Sequence, residues 1–214
     1  MIYGSRNQKP ITKARKDENT KKEFGKKDVS CFPVFGIKNK IRHNSTLRER
    51  LRFMDINKKI IELKDIKAKV AEIKESGKKI VFTNGCFDIL HVGHVRYLAA
   101  ARLKGDVLVV GLNSDESVKS IKSAKRPIVK QDERAEVLAS MWCVDYIILF
   151  NEPDPLLLIQ TINPDILVKG DDWAEENIIG ADFVKNNEGR VVRIPVVPEA
   201  STSRIIERII KRYR

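Results

Sequence analysis

Cysteine is scarce in this chain, with Cys31, Cys86 and Cys143 the three among 214 residues. An odd number with no Cys-x-x-Cys pair argues against a disulfide framework and fits a reducing cytoplasm. No apolar run reaches the roughly 18 residues a membrane-spanning helix needs. Residues 1 to 30 have no apolar stretch of the kind a secretory signal requires. The G-x-G-x-x-G fingerprint that follows the first strand of a dinucleotide-binding fold is missing too, which counts against a dehydrogenase.

Acidic residues are short in one part of the chain only. Residues 1 to 59 hold 17 Lys and Arg against 6 Asp and Glu, whereas residues 60 to 214 hold 24 against 23. The formal net charge of +12 is therefore carried by the leading stretch. A nucleic-acid-binding fold carries its basic patch on the fold itself, so nucleic acid is not an expected partner. The leading stretch has no sustained hydrophobic period and reads as an irregular, disordered or loosely packed basic extension, residues 1 to 57. A non-functional extension is the leading reading, with a basic arm and a targeting segment competing; Asp17, Glu18, Glu23 and Asp28 argue against a transit peptide. Met54, just ahead of Asp55-Ile56-Asn57, is the expected start of the functional chain.

What remains, residues 58 to 214, is enough for one domain with a real core, at an apolar content of 42% for the whole chain. Residues 58 to 76 repeat Ile60, Ile61, Leu63, Ile66, Val70 and Ile73 at roughly helical spacing and end at Ser76-Gly77, so an amphipathic helix is predicted there. Five strands are predicted: 80 to 82, 106 to 112, 144 to 150, 165 to 168 and 190 to 196. Helical patterns run between them, and 106 to 112 is apolar on both faces, as in a buried parallel strand. The predicted fold is α/β, an open parallel five-stranded sheet with helices on both faces, its connections right-handed.

The candidate site begins where the first of these strands ends. Thr83-Asn84-Gly85-Cys86-Phe87-Asp88 is a polar turn, and His91-Val92-Gly93-His94 opens the next helix. Backbone N–H groups, a helix N-terminus and two imidazoles thus come together, which suits a phosphate. Three-residue spacing puts both rings on one side of the helix start, and Gly93 lets a ligand approach the backbone. Neutral imidazoles can donate to a phosphoryl group that gains charge in a transition state. The pair could instead be structural, or ligate zinc, but no third ligand lies at a metal spacing.

Three further stretches belong to the same rim. Residues 119 to 126 carry Lys119, Lys122, Lys125 and Arg126 in a loop after the second strand, at the carboxyl edge where open α/β sheets bind ligands. It is either a solvated loop or a flap bringing Lys122 and Arg126 to phosphates. Lys169-Gly170-Asp171-Asp172-Trp173 ends the fourth strand: Lys169 can reach a phosphate, and Asp171 or Asp172 can accept from a base amine or ribose, hold Mg²⁺ through water, or simply cap a turn. Ser201-Thr202-Ser203 opens the last helix, where hydroxyls cap it and leave N–H groups for an anion.

Gly85-Cys86-Phe87-Asp88 followed by His91-Val92-Gly93-His94 resembles the HxGH signature of the nucleotidyltransferase superfamily, which implies a Rossmann-like fold. With Ser114-Asp115-Glu116-Ser117-Val118-Lys119, Arg126-Pro127-Ile128, Val168-Lys169-Gly170-Asp171-Asp172 and Ser201-Thr202-Ser203, residues 60 to 213 resemble the adenylyltransferase half of bacterial ADP-heptose synthase. The resemblance implies transfer of AMP from ATP to D-glycero-D-manno-heptose 1-phosphate, giving ADP-heptose and pyrophosphate for lipopolysaccharide. It also implies Mg²⁺ carried by the phosphates without direct protein ligands, a separate sugar kinase upstream and a homodimer. His91, His94 and Lys122 are the expected catalytic residues, with Lys122 and Arg126 on the substrate phosphate. Asn84, Gly85, Cys86, Phe87, Asp88, Gly93, Lys169, Gly170, Asp171, Asp172, Ser201, Thr202 and Ser203 are expected on the nucleotide. Two departures matter. The family commonly has Lys-Gly-Gly-Asp-Tyr at residues 169 to 173, and the Gly-Asp-Asp-Trp found here is similar to glycerol-3-phosphate cytidylyltransferase. The family's Gly-x-Ser-Thr-Thr becomes Glu199-Ala200-Ser201-Thr202-Ser203. A cytidylyltransferase acting on glycerol 3-phosphate or a related polyol or sugar phosphate is therefore the alternative, and a non-catalytic nucleotide-binding regulator the second.

Overall fold

A computed structural model of the chain describes residues 56–213. The expectations placed on residues 1–55, Met54 as a start among them, lie outside the described residues. From Ile56 on, a short 3-10 turn leads into β1 (Ile60–Ile61), then α1 (Ile66–Glu75), β2 (Ile80–Gly85), α2 (Val92–Arg102), β3 (Val107–Asn113), α3 (Asp115–Ile121) and α4 (Gln131–Ala139). After these come β4 (Tyr146–Phe150), α5 (Leu156–Ile162), β5 (Ile166–Gly170), α6 (Ala181–Asn186), β6 (Arg190–Ile194) and α7 (Thr202–Tyr213).

All six strands pair in parallel, in the order β1-β4-β3-β2-β5-β6. The α/β parallel architecture is the predicted one, but the sheet has six strands where five are predicted. Ile60 and Ile61 are the reason. They pair with Ile147 and Ile148 on β4, and the predicted helix over 58 to 76 begins only at Ile66. Two β-branched residues fit a helical period and a short edge strand equally well, and tertiary pairing decides between them. The rest of that helix is as predicted: Ile66, Val70 and Ile73 are buried, and Gly77 follows its end at φ +70, a conformation that favours glycine.

Alternation along the strands divides the core into two layers. Ile80, Phe82, Val107, Val109, Ile148 and Leu167 face one side, against Val70 of α1, Ile159 and Ile162 of α5 and Val184 of α6. Val81, Leu108, Val110, Leu112, Ile147, Ile166 and Val168 face the other, against Leu98 of α2 and Leu138 of α4. Helices thus cover both faces, and every residue of β3 is buried. Burying each such large aliphatic side chain contributes about 1.5–3 kcal/mol.

The strand order places the site. From β2 the chain winds outward through β3 to β4, then crosses back to β5 on the other flank of β2. Neighbouring connections therefore leave in opposite directions between β2 and β5. At such a switch point a crevice opens beyond the carboxyl ends of the strands.

Candidate active site

A cavity of about 660 Å³ lies at that crevice, well within the size range of small-molecule sites. Its floor is the turn after β2. Phe87 sits in the left-handed region at φ 42, a strained conformation for a bulky side chain that the surrounding packing must enforce. Its ring lies 5.2 Å from that of His94. His91 is the extended residue that precedes α2. A Cβ on Gly93 would come within 2.9 Å of the His91 ring nitrogen and 3.2 Å of the Ala200 Cβ. Glycine there lets the His91 ring and the chain before α7 pack against the helix start.

The two imidazoles stack, with ring centroids 3.8 Å apart and planes 22° from parallel. Stacked rings cannot both be cations cheaply. Burial, and then the neighbouring His91, push the His94 pKa down to about 4, and burial lowers that of His91. Both are therefore neutral at physiological pH. Their Nδ1 atoms are buried without a hydrogen-bond partner in the protein. Buried polar atoms left unpaired are rare and call for a reason.

On one side of this floor stands Lys169, near the end of β5. Its ammonium donates to Asn84 Oδ1. Burial lowers its pKa to about 8, against the opposing pull of Cys86 and Asp172. Tyr97 of α2 lies below: its hydroxyl bonds the Thr83 hydroxyl at 2.7 Å and donates to the Val168 carbonyl at 3.0 Å. The opening turn of α7 closes this side. Thr202 Oγ1 donates to the Ile89 carbonyl at 3.3 Å, and Ser201 Oγ accepts the Arg204 N–H at 3.2 Å. Capping and cavity lining occur together, since Ser201, Thr202 and Ser203 all line the cavity.

Across the cavity, Lys122 follows the end of α3 and faces in. Arg126 also lines the cavity, but its Nε donates to Asp88. The Asp88 carboxylate, fully buried, accepts the N–H of Ile128 at 2.8 Å and of Val129 at 2.9 Å as well. Burial alone would raise its pKa; the Val129 and Ile128 donors and the Arg126 guanidinium outweigh it and hold the carboxyl below its ordinary value. Beneath the loop, the wholly buried Arg134 of α4 donates to the carbonyls of Val129, Cys86 and Asn113 and to Asp115. Burial raises the Cys86 thiol despite the cations Lys122, Arg134 and Arg126 nearby, so it remains a neutral thiol at neutral pH.

Of the residues singled out in the sequence, the cavity gathers Asn84, Gly85, Cys86, Phe87, Asp88, His91, Gly93, His94, Lys122, Arg126, Lys169, Gly170, Asp172, Ser201, Thr202 and Ser203. Asp171 is not among its lining: its carboxylate turns outward and accepts the Val196 N–H at 3.0 Å. Sequence reasoning missed Tyr97, Asn113 and the apolar shelf of Trp173, Ile178 and Ile179 in the cavity lining, and the buried Arg134 beneath the loop. Arg134 sits in Gln131-Asp132-Glu133-Arg134, indistinguishable from a solvated helix turn. Trp173 directly follows the Asp-Asp pair and could have been found. Among the described residues no group of three or more His, Cys, Asp or Glu is placed to hold a metal ion, and no helix is long and apolar enough to cross a membrane.

Residues 82–208 match the cytidylyltransferase-like family. The chain is 51% identical over 159 residues to the bifunctional protein HldE of Citrifermentans bemidjiense, covering 74% of this chain and 33% of that protein. To the bifunctional protein HldE of Syntrophotalea carbinolica it is 54% identical over 137 residues, covering 64% of this chain and 28% of that one. This chain thus spans a third or less of the length of these curated relatives. Among solved structures, the lipopolysaccharide core biosynthesis protein from Thermoplasma volcanium GSS1 superposes with a TM-score of 0.50 at 30% identity, over 56% of this chain and 99% of that one. The strand–turn–helix with its paired imidazoles, its place at the switch point of a parallel sheet, and this match over residues 82–208 agree: the chain belongs to the cytidylyltransferase-like family.

Proposed function

We propose that this protein is an adenylyltransferase that joins AMP from ATP to D-glycero-D-manno-heptose 1-phosphate, releasing pyrophosphate and giving ADP-heptose for lipopolysaccharide. The observation that carries this reading is convergence. The neutral His91–His94 pair, Lys122, the buried Lys169 and the hydroxyls opening α7 all face one cavity. These groups come from four separated stretches of sequence, and each suits a phosphate. The relatives named HldE and the lipopolysaccharide core biosynthesis protein support the choice of product.

A phosphate oxygen of the sugar 1-phosphate attacks the α-phosphorus in line; the new P–O bond forms as the bond to pyrophosphate breaks. The nucleophile is already an anion, so no general base is needed, and the protein supplies position and charge. The imidazoles donate N–H to the α- and β-phosphate oxygens, as neutral donors in a partly desolvated site. Lys122 and Lys169 neutralise charge from opposite sides. The turn at Cys86-Phe87 and the N-terminus of α7 bind the remaining oxygens through backbone N–H groups. Two lysines, two imidazoles and amides, with Asp172 beside them, would accept a Mg²⁺ brought in with the triphosphate, and the ion would supply charge neutralisation on those phosphates. A sugar kinase that makes the 1-phosphate, and a homodimeric assembly, complete the reading by family resemblance.

A second reading is favoured by one observation. Gly170-Asp171-Asp172-Trp173 is similar to glycerol-3-phosphate cytidylyltransferase, and Trp173 lines the cavity. Pyrophosphate release with ATP or CTP against a panel of sugar and polyol phosphates separates the readings. Release with ATP and heptose 1-phosphate supports the first. Release with CTP and a polyol phosphate replaces it with the second. Nucleotide binding with no release from any pair points to a regulator.

A further inference from the structure

The loop 122–130 is anchored in an unusual way for a surface connection. At its far end the Asp88 carboxylate, with a side chain 0% exposed, takes three donors from it: Arg126 Nε and the N–H groups of Ile128 and Val129. A carboxylate so engaged has little left to offer a ligand, and its charge would repel a triphosphate. Arg134, also 0% exposed, grips the same stretch through the Val129 carbonyl at 3.0 Å. Its other donors reach Cys86 and Asn113, so it joins the loop to the turn after β2 and to the end of β3. A tight turn links this anchored end to Lys122, since the Arg126 N–H donates to the Ser123 carbonyl at 3.0 Å. Any shift of Arg126 is therefore passed to Lys122 within a few residues.

We propose that Asp88 and Arg126, backed by Arg134, form a positioning clasp that sets where Lys122 stands in the cavity, and that Arg126 acts through this clasp and not as a phosphate ligand. The kinetic part of this inference rests on the nucleotidyl-transfer reading; the mechanical part does not. The Asp88 carboxylate, buried beside a charged substrate's cavity, is explained by its hold on the loop, and the Nε of Arg126 is turned to that carboxylate. The positions singled out as ligands in the sequence would thus be split between contact (Lys122) and support (Asp88, Arg126).

The full chain tests this in two ways. First, tryptic cleavage after Lys122 and Lys125 is followed by mass in wild type, Asp88→Asn and Arg126→Gln. Opening the clasp should speed cleavage at these two sites by at least about tenfold, as expected when a charge-assisted hydrogen bond holding a local segment is lost. Unchanged cleavage in both variants overturns the proposal. Second, kcat is measured for Arg126→Gln, Lys122→Ala and the double variant. Arg126→Gln should lose up to about 10²-fold through misplacement of a catalytic group, and should lose nothing more once Lys122 is already alanine. Additive losses would make Arg126 an independent ligand and overturn the proposal. If Asp88→Asn fails to fold, Arg126→Gln carries both measurements. A wild-type protein that releases pyrophosphate from no substrate pair would refute the transfer reading, while the cleavage result still decides the clasp.

Discussion

The two walls of the cavity are built in opposite ways. On the side of β3, buried charges tie the structure together: Asp88 with Arg126, and Arg134 with Asp115 and three carbonyls. On the side of β6, the loops meet through exposed single bonds, Asp171 to the Val196 N–H and Arg193 to the Trp173 carbonyl at 3.4 Å. Trp173 and Val196 themselves are about half exposed, at 51% and 47%. Buried charge tolerates little displacement, because an unpaired buried ion costs several kcal/mol. An exposed hydrogen bond is exchanged for water at small loss. One wall is therefore fixed in place and the other is adjustable. Two of the departures from the adenylyltransferase pattern, Asp171 and Trp173, fall on the adjustable side, whereas Glu199-Ala200 lies next to Ser201, with Ala200 beside Gly93 at the start of α2.

This contrast can be broken or sharpened by measurement. Arg134→Met should have the largest effect, since it strands three carbonyls and the Asp115 carboxylate: about 3–5 kcal/mol of unfolding free energy, read by denaturant titration. A loss below about 1 kcal/mol would mean the fixed wall is no firmer than its opposite. His94→Ala should lower kcat by about 10²–10³-fold, the usual effect of losing one oxyanion donor. Its melting temperature should not fall much, because the native ring already carries an unpaired nitrogen; near-normal turnover would remove the imidazoles from the mechanism. Lys169 stands between the walls. Burial lowers its pKa to about 8, so its cation is present below that pH and lost as pH rises through it. kcat/KM should decline about tenfold per pH unit above this point, as for any essential protonated group. Lys169→Arg should extend the plateau, and an unchanged limb in that variant would assign the titration elsewhere. Asp171→Ala should cost least, under about 1.5 kcal/mol for one exposed hydrogen bond. A loss matching that of Arg134→Met would erase the distinction between the walls.

Much of this was legible in the sequence, and what was not has a physical cause. Short apolar runs bounded by turn residues, such as Leu108-Val109-Val110, read as buried strands, and three-residue spacing at a helix start puts His91 and His94 on one side. Local patterning decides such features. Long-range pairing decides the others. Ile60 and Ile61 became a strand because β4 offered an open edge. Arg134 became the buried keystone because three carbonyls point at it from segments up to 48 residues away. Asp88 and Arg126 were recognisable as site residues, but a charged loop residue that binds a phosphate and one that binds another residue read alike. Asp171 and Asp172 are adjacent and chemically identical, and only the backbone's direction sends one toward the cavity and the other to Val196.

The floor of the cavity comes from residues 84 to 94, whereas one of its sides is the beginning of the final helix, Ser201 to Ser203. During synthesis on the ribosome, the imidazoles are thus made more than a hundred residues before the hydroxyls that face them. A nascent chain can complete its sheet, whose last strand ends at Ile194, while this side of the cavity is still open. The cavity is therefore walled on this side only after α7 has been made and has docked, long after its floor exists.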